Sequence, residues 1–256
     1  MTKSTFAIIL AAGLGSRLGE ETQSKPKCLV EVAGIPILER CLTSLCNVGV
    51  TETTVVVGYR ANDIAKFVDN WTLTNPMTVT LVNNPNYATT GTCQSLAIGL
   101  TSIGQYDGKV LIIEGDVVFD QSLLTSLQNG SGNKTLVAPY RDGLDGSFVI
   151  LDESNVADWL HETHRKPDAD ITEMYKTINL HAFDNPVSRH VFAHELFQTQ
   201  QDEGIYAPLE YAFRRFIKAG NNVQAIIVTK ERWYEVDDMT DKAVAEDLFN
   251  TKSLAT

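Results

Sequence analysis

Short apolar runs alternate with longer amphipathic ones along this chain, and that alternation constrains the fold more than any other feature. Residues 5–11, 53–58, 78–83, 109–115 and 134–139 read as strands, rich in Val, Ile and Leu and closed by Gly, Asn or Pro. Helical patterns fill the gaps at 36–48, 61–70, 92–102 and 120–129, the first opened by Pro36 and ended by Gly49. Strand, helix, strand repeated in this way predicts an α/β fold with a mixed, mostly parallel sheet flanked by helices. After residue 139 the pattern loosens. Residues 148–151 and 175–182 read as strands around a polar stretch, 161–170, expected to be an exposed loop. Helices near 187–200 and 207–219, a strand at 222–228, the segment 233–238 and a helix near 240–250 follow. Without a repeat, a low-complexity linker or a composition break, residues 1–256 read as one domain.

Hydrophobic residues make up 43% of the 256 and charged residues 21%, which excludes a disordered chain. No apolar run approaches the roughly 18 residues of a membrane span. The run at residues 6–12 is too short for a secretory leader and ends in a glycine turn, so it reads as a buried strand and the protein as cytoplasmic. Lys and Arg number 21 against 32 Asp and Glu, a net charge of −11. Such a chain is a poor partner for nucleic acid or an anionic membrane. Homo-oligomerisation stays open. Cys28, Cys41, Cys46 and Cys93 form no C-x-x-C pair and read as reduced core thiols. His161/His164 and His190/His194 read as exposed helix or loop residues, since the second pair lacks the glutamate of a zinc-binding helix.

The sequence Ala11-Ala12-Gly13-Leu14-Gly15-Ser16-Arg17-Leu18-Gly19 follows the first strand directly. Glycines there permit positive φ and let backbone N–H groups approach an anion. No Lys follows Gly19 as a P-loop requires, and Leu18 stands where a dinucleotide fingerprint needs its third glycine. Arg17, Lys25 and Lys27 crowd the same stretch, a cation density suited to a triphosphate.

These residues, with Lys25-Pro26-Lys27, resemble the signature of nucleotidyltransferases that join an NTP to a phosphorylated small molecule. Glu114-Gly115-Asp116, Tyr175-Lys176-Thr177-Ile178-Asn179 and Trp233-Tyr234-Glu235-Val236-Asp237-Asp238 continue the resemblance in order. The last two are most similar to the phosphocholine and 2-aminoethylphosphonate cytidylyltransferases. The resemblance implies a Rossmann-like, nucleotide-diphospho-sugar-transferase-like fold, with a nucleotide-binding half at 1–139 and an acceptor-binding half at 140–256. It implies CTP, or another NTP, as donor, a small phosphate or phosphonate as acceptor, and Mg²⁺ as cofactor.

Asp116 closes an apolar strand, where open α/β sheets face their ligands. A second acidic pair, Asp237-Asp238, follows another short strand, and two carboxylates with phosphate oxygens and waters suit Mg²⁺. The resemblance assigns the metal to Asp116 and one of this pair. Extended backbone sends the two to opposite faces; Asp238 is the expected ligand and Asp237 the alternative. The nucleotide would be held by Ala11, Ala12, Gly13, Gly15, Ser16, Arg17, Lys27, Thr90, Gly91 and Asp116. Lys27 would meet the α-phosphate and Arg17 the β- and γ-phosphates, as the catalytic pair. Lys176 would face the acceptor's phosphoryl group, with Tyr175 beside it. Asn179 shares that face only if a bulge offsets the strand. A choline head would need an aromatic cage from residues such as Tyr140, Trp159, Tyr175, Trp233 and Tyr234. A primary amine would need a carboxylate, with Glu173 or Asp142 as candidates. The rivals are a hexose-1-phosphate nucleotidylyltransferase, a nucleotide-binding module without turnover, and a glycosyltransferase using Asp168-Ala169-Asp170.

Overall fold

The computed structural model describes residues 4–141, 144, 146–161 and 171–250. His164, Asp142 and Asp168-Ala169-Asp170 lie outside them. The first half runs β1 (Thr5–Ala11), α1 (Glu20–Ser24), β2 (Glu31–Val32), β3 (Ile35–Pro36), α2 (Ile37–Asn47), β4 (Glu52–Val57), α3 (Ala61–Thr72), β5 (Thr78–Asn83), α4 (Thr92–Ser102), β6 (Lys109–Glu114), β7 (Val117–Phe119), α5 (Ser122–Gln128) and β8 (Lys134–Pro139). The second half runs β9 (Phe148–Asp152), β10 (Asn155–Leu160), β11 (Met174–Phe183), α6 (Pro186–Glu203), α7 (Leu209–Lys218), β12 (Gln224–Ile227), β13 (Trp233–Glu235) and α8 (Met239–Phe249).

The main sheet orders its strands β5-β4-β1-β6-β11-β8-β12-β10-β9. Pair by pair, the ladders give seven strands one direction and only β11 and β10 the other. The mixed, mostly parallel sheet is therefore present. β1 explains its centre. Ala7, Ile9 and Ala11 enter one core, with α2, α3 and α5, while Phe6, Ile8 and Leu10 enter the other, with α4, α6 and α7. A strand buried on both faces must be a near-continuous apolar run, which is how this one reads. The chain leaves β1 toward β4 and returns on its other side at β6. Such a reversal opens a crevice at the carboxyl ends of the two strands, the place where α/β sheets bind ligands.

Two small pairings escape the apolar pattern. β9 and β10 form a hairpin, and β13 pairs with β7 through Trp233–Phe119, Tyr234–Val118 and Glu235–Val117. A third core under this pair, built on Leu18, Val30, Val118, Val236 and Phe249, ties α8 to the crevice. Among the four cysteines, all reduced, Cys46 is half-buried and the others buried.

Candidate active site

The turn after β1 is shaped for an anion. Gly15 sits at φ +63°, and a Cβ there would lie 2.8 Å from the Lys27 Cβ, so only glycine lets the lysine stem pass beneath the loop. Thr22 Oγ1 pins the turn by donating to the Gly15 carbonyl at 2.9 Å. The N–H groups of Leu18 and Gly19 close back onto Gly15 and Ser16. Those of Gly13 to Arg17 take no backbone acceptor among the described residues, leaving a run of donors at the crevice. Ala11, Gly13, Gly15, Ser16, Arg17, Lys27, Asp116 and Asp237 line one cavity of about 330 Å³. Ala12 stands behind it, its carbonyl accepting from the Tyr59 N–H at 3.0 Å. Lys25 turns away to Glu21, 3.6 Å distant.

Lys27 bridges two carboxylates, with Nζ 2.7 Å from Asp116 Oδ2 and 2.6 Å from Asp237 Oδ1. Arg17 Nη2 reaches the same Asp237 oxygen at 2.9 Å. Burial by itself would lower the Lys27 pKa, but the two carboxylates override it and hold the ammonium well above its usual range. Asp237 is the mirror case. Burial opposes its ionisation, and Lys27 and Arg17 pull its carboxyl below the usual carboxylate range.

The backbone puts Asp237, not Asp238, in the crevice. Asp238 is the N-cap of α8, its Oδ1 accepting from the Thr240 and Asp241 N–H groups at 2.7 and 3.0 Å. Asp241 returns the bond to the Asp238 N–H, completing a capping box. Asp238, the expected metal ligand, is thus taken up by the helix end, and Asp237, the alternative, lines the cavity. The signal was in the sequence, because Asp238-Met239-Thr240-Asp241 before a helix spells such a box.

Glu235 was missed as a site residue. It shares Asp237's face through strand alternation, and Asp116, Glu235 and Asp237 offer oxygens within 4.8 Å of one another, a set that could hold a metal ion. Asp116 Oδ1 is buried with no hydrogen-bond partner among the described residues, an orphaned acceptor that a cation would satisfy. Glu235 Oε2 accepts from Lys176 Nζ at 2.8 Å, and its Oε1 from Asn179 Nδ2 at 3.0 Å. Burial pushes the Glu235 carboxyl up to about 7; Lys176 opposes the rise, and Asp116 and Asp237 add to it. Glu114 is raised well above its usual range by burial and by Asp116, Glu210 and Glu235. Lys176, 2% exposed, is held above its ordinary value by these glutamates in spite of its burial. Its ammonium is thus an acidic pocket's counter-ion before any ligand arrives.

Five of the expected contact residues have positions or partners of their own. Gly91 donates its N–H to the Ile205 carbonyl at 2.9 Å, and a Cβ there would meet the Tyr206 and Ala207 oxygens at 2.3 Å. It is glycine so that α4 can pack against the 204–208 turn. The Thr90 hydroxyl donates to the Asn86 carbonyl at 3.0 Å and accepts from Asn84 Nδ2 at 3.0 Å. Tyr175 points opposite to Lys176 and packs on the second core. Glu173 is exposed, and Trp159 stacks on Phe213 at 4.1 Å between ring centres, deep in that core.

A glycine loop after β1, carboxylates after β6 and β13, and a sheet reversing between them define a nucleotidyltransferase type of fold. The solved CTP:phosphocholine cytidylyltransferase of Streptococcus pneumoniae superposes with a TM-score of 0.78 at 20% identity, covering 95% of this chain and 98% of that one. Residues 7–207 match the family of MobA-like NTP transferase domains, and the chain belongs to it. Among curated relatives, CMP-5'-(3-aminopropyl)phosphonate synthase of Streptomyces rubellomurinus is 32% identical over 251 residues, 95% of this chain and 38% of that protein. A UTP–glucose-1-phosphate uridylyltransferase of Haloferax volcanii is 35% identical over 118 residues, 46% of this chain and 45% of that protein. The matches thus cover less than half the length of either relative. No helix among the described residues is long and apolar enough to cross a membrane.

Proposed function

We propose that this chain transfers CMP from CTP to a small phosphate or phosphonate acceptor that carries a primary amine, releasing pyrophosphate. The observation that carries the reading is Lys27, held between Asp116 and Asp237 at the mouth of the donor-lined glycine loop. A pure nucleotide binder has no use for an ammonium and a cation-binding set at that point. An acceptor P–O⁻ oxygen attacks the α-phosphorus, the new P–O–P bond forms as the α–β bond breaks, and pyrophosphate leaves. The nucleophile is already anionic, so the protein's task is alignment and charge neutralisation.

The site fits a divalent cation: three carboxylates converge, one with an orphaned oxygen, and oxygen donors suit Mg²⁺. Asp116 and Asp237 would hold it with Glu235 in reach, and when bound it supplies Lewis-acid polarisation of the α-phosphate. Lys27 would exchange a carboxylate for the developing charge on the α-phosphoryl oxygens. Arg17, more exposed, would follow the leaving pyrophosphate. Lys176 would take the acceptor's phosphoryl group.

Similarity to the aminopropylphosphonate synthase supports CTP and an aminoalkyl phosphonate. So does the chemistry around Lys176, where Glu114, Glu210 and Glu235 are the charges acting on it. Carboxylates match a primary ammonium, whereas a quaternary one would want an aromatic box, and Trp159 is committed to the core. The second reading, a hexose-1-phosphate nucleotidylyltransferase, is favoured by the similarity to the uridylyltransferase. Pyrophosphate release with Mg²⁺, each of the four NTPs and aminoethylphosphonate, aminopropylphosphonate, phosphocholine or glucose 1-phosphate separates them. Release with CTP and an aminoalkyl phosphonate is expected. Release only with glucose 1-phosphate establishes the second reading, and release with phosphocholine alone removes the amine argument.

A further inference from the structure

The β11 strand places two side chains where simple alternation forbids. Lys176 and Asn179 stand three residues apart and would face opposite sides of a regular strand, yet both bind the Glu235 carboxylate. The ladder gives the reason. From Thr177 to His181 β11 advances four residues while β8 advances two, from Val137 to Thr135. Asn179 lies in that excess at φ +60°, a left-handed conformation that few residues besides Gly, Asn and Asp adopt readily. Its amide closes the bulge from within, Oδ1 accepting from Thr177 Oγ1 at 2.9 Å while Nδ2 donates to Glu235. Lys176 is enclosed from the other side by Gly146, where a Cβ would lie 3.2 Å from Nζ. Among the described residues, two of its three N–H groups are accounted for, by Glu235 and by the Thr177 carbonyl at 3.1 Å, and one direction is left for a ligand.

We propose that Asn179 is a positioning residue for the acceptor. Its left-handed backbone and two-sided amide fix Glu235, and through Glu235 they fix the one N–H that Lys176 can offer a phosphoryl oxygen. This inference rests on the nucleotidyl-transfer reading only for the identity of the ligand, not for the linkage itself.

Three variants separate the parts. Asn179→Gly keeps the backbone and removes the amide, Asn179→Asp keeps the backbone but sets an oxygen against Glu235, and Asn179→Ala removes both. The acceptor KM should rise about tenfold in Asn179→Gly, the cost of one hydrogen bond to a charged group, and further in the other two. The CTP KM should stay unchanged in all three. Wild-type acceptor KM in Asn179→Gly and Asn179→Ala overturns the proposal, as does a parallel rise in both KM values, which a merely structural role would give. If the wild-type protein turns over none of the NTP and acceptor pairs, the functional reading fails on its own. Crystal structures of the Gly and Ala variants then decide the linkage. Glu235 rotated away from Lys176 supports it, and an undisturbed pair overturns it.

Discussion

Asp237 and Asp238 are adjacent carboxylates with different work, because one is committed to a helix end and the other is free to meet cations. Asn caps a helix about as well as Asp, so Asp238→Asn should keep both stability and turnover. Asp238→Ala should cost about 1 kcal/mol in denaturant unfolding, the usual loss for a removed cap, with turnover retained. Asp237→Asn should instead lower kcat by about 100-fold or more, on the scale of losing a group that organises transition-state charge. Equal losses in Asp237→Asn and Asp238→Asn would reverse the assignment. Lys27→Met should also lose about 100-fold in turnover while remaining folded. It uncovers Asp116 and Asp237, so calorimetry should show tighter Mg²⁺ binding to this variant without nucleotide than to the wild type. Weaker binding would mean that the ammonium and the metal do not compete for these oxygens.

Elements carry the next level of constraint. Gly91 is the seam between α4 and the 204–208 turn, and a methyl group there meets two backbone oxygens rather than a movable side chain. Gly91→Ala should cost about 1–3 kcal/mol, as overpacking commonly does, and chemical denaturation would read it directly. An unchanged midpoint would show that the seam can open. The same scale separates what the sequence disclosed from what it hid. β1, β4, β6 and β8 are buried apolar runs, and α2 and α3 are amphipathic, so periodicity alone revealed them and the crevice between β1 and β6. The three-residue strands β7 and β13 have no period to detect; each exists because the other does. Their pairing is what carries Glu235 and Asp237 to Asp116, so the acidic set was legible only in part. The bulge in β11 was legible only as a condition, because Asn179 tolerates a left-handed backbone but a lone Asn in an apolar strand does not require one. Of the two residues expected to hold the nucleotide here, Thr90 bonds within its own loop and Gly91 packs on the 204–208 turn.

At the scale of the whole molecule, stability should depend on pH through His181. It is buried between Trp159 and Phe213, with Nδ1 2.9 Å from Thr135 Oγ1, and burial pushes its pKa down to about 3. The unfolded imidazole, near its ordinary value of 6.5, binds a proton that the folded one refuses. Stability from this residue is therefore complete above pH 6.5 and falls as pH drops toward 3, by up to about 1.4 kcal/mol per pH unit. Glu235 acts in the opposite sense. Its folded pKa of about 7 exceeds the ordinary glutamate value of 4.5, so its contribution is lost as pH rises through that interval. Unfolding curves of wild type and His181→Phe, compared from pH 8 to pH 4, isolate the histidine. The variant should lack the acid-side loss even if its plateau is lower, and parallel curves would show that His181 does not titrate on unfolding.

The pairing of β13 with β7 also bears on how the protein is made. A chain emerging from the ribosome has the glycine loop and both sheet neighbours of β1 once β6 has been made, while α6 and α7, which complete the second core over β1, come later. Two of the three converging carboxylates are synthesised more than a hundred residues after Asp116, and Asp238, next to Asp237, is the N-cap of α8. The three-carboxylate set is therefore complete only once β13 and the two residues after it have been made.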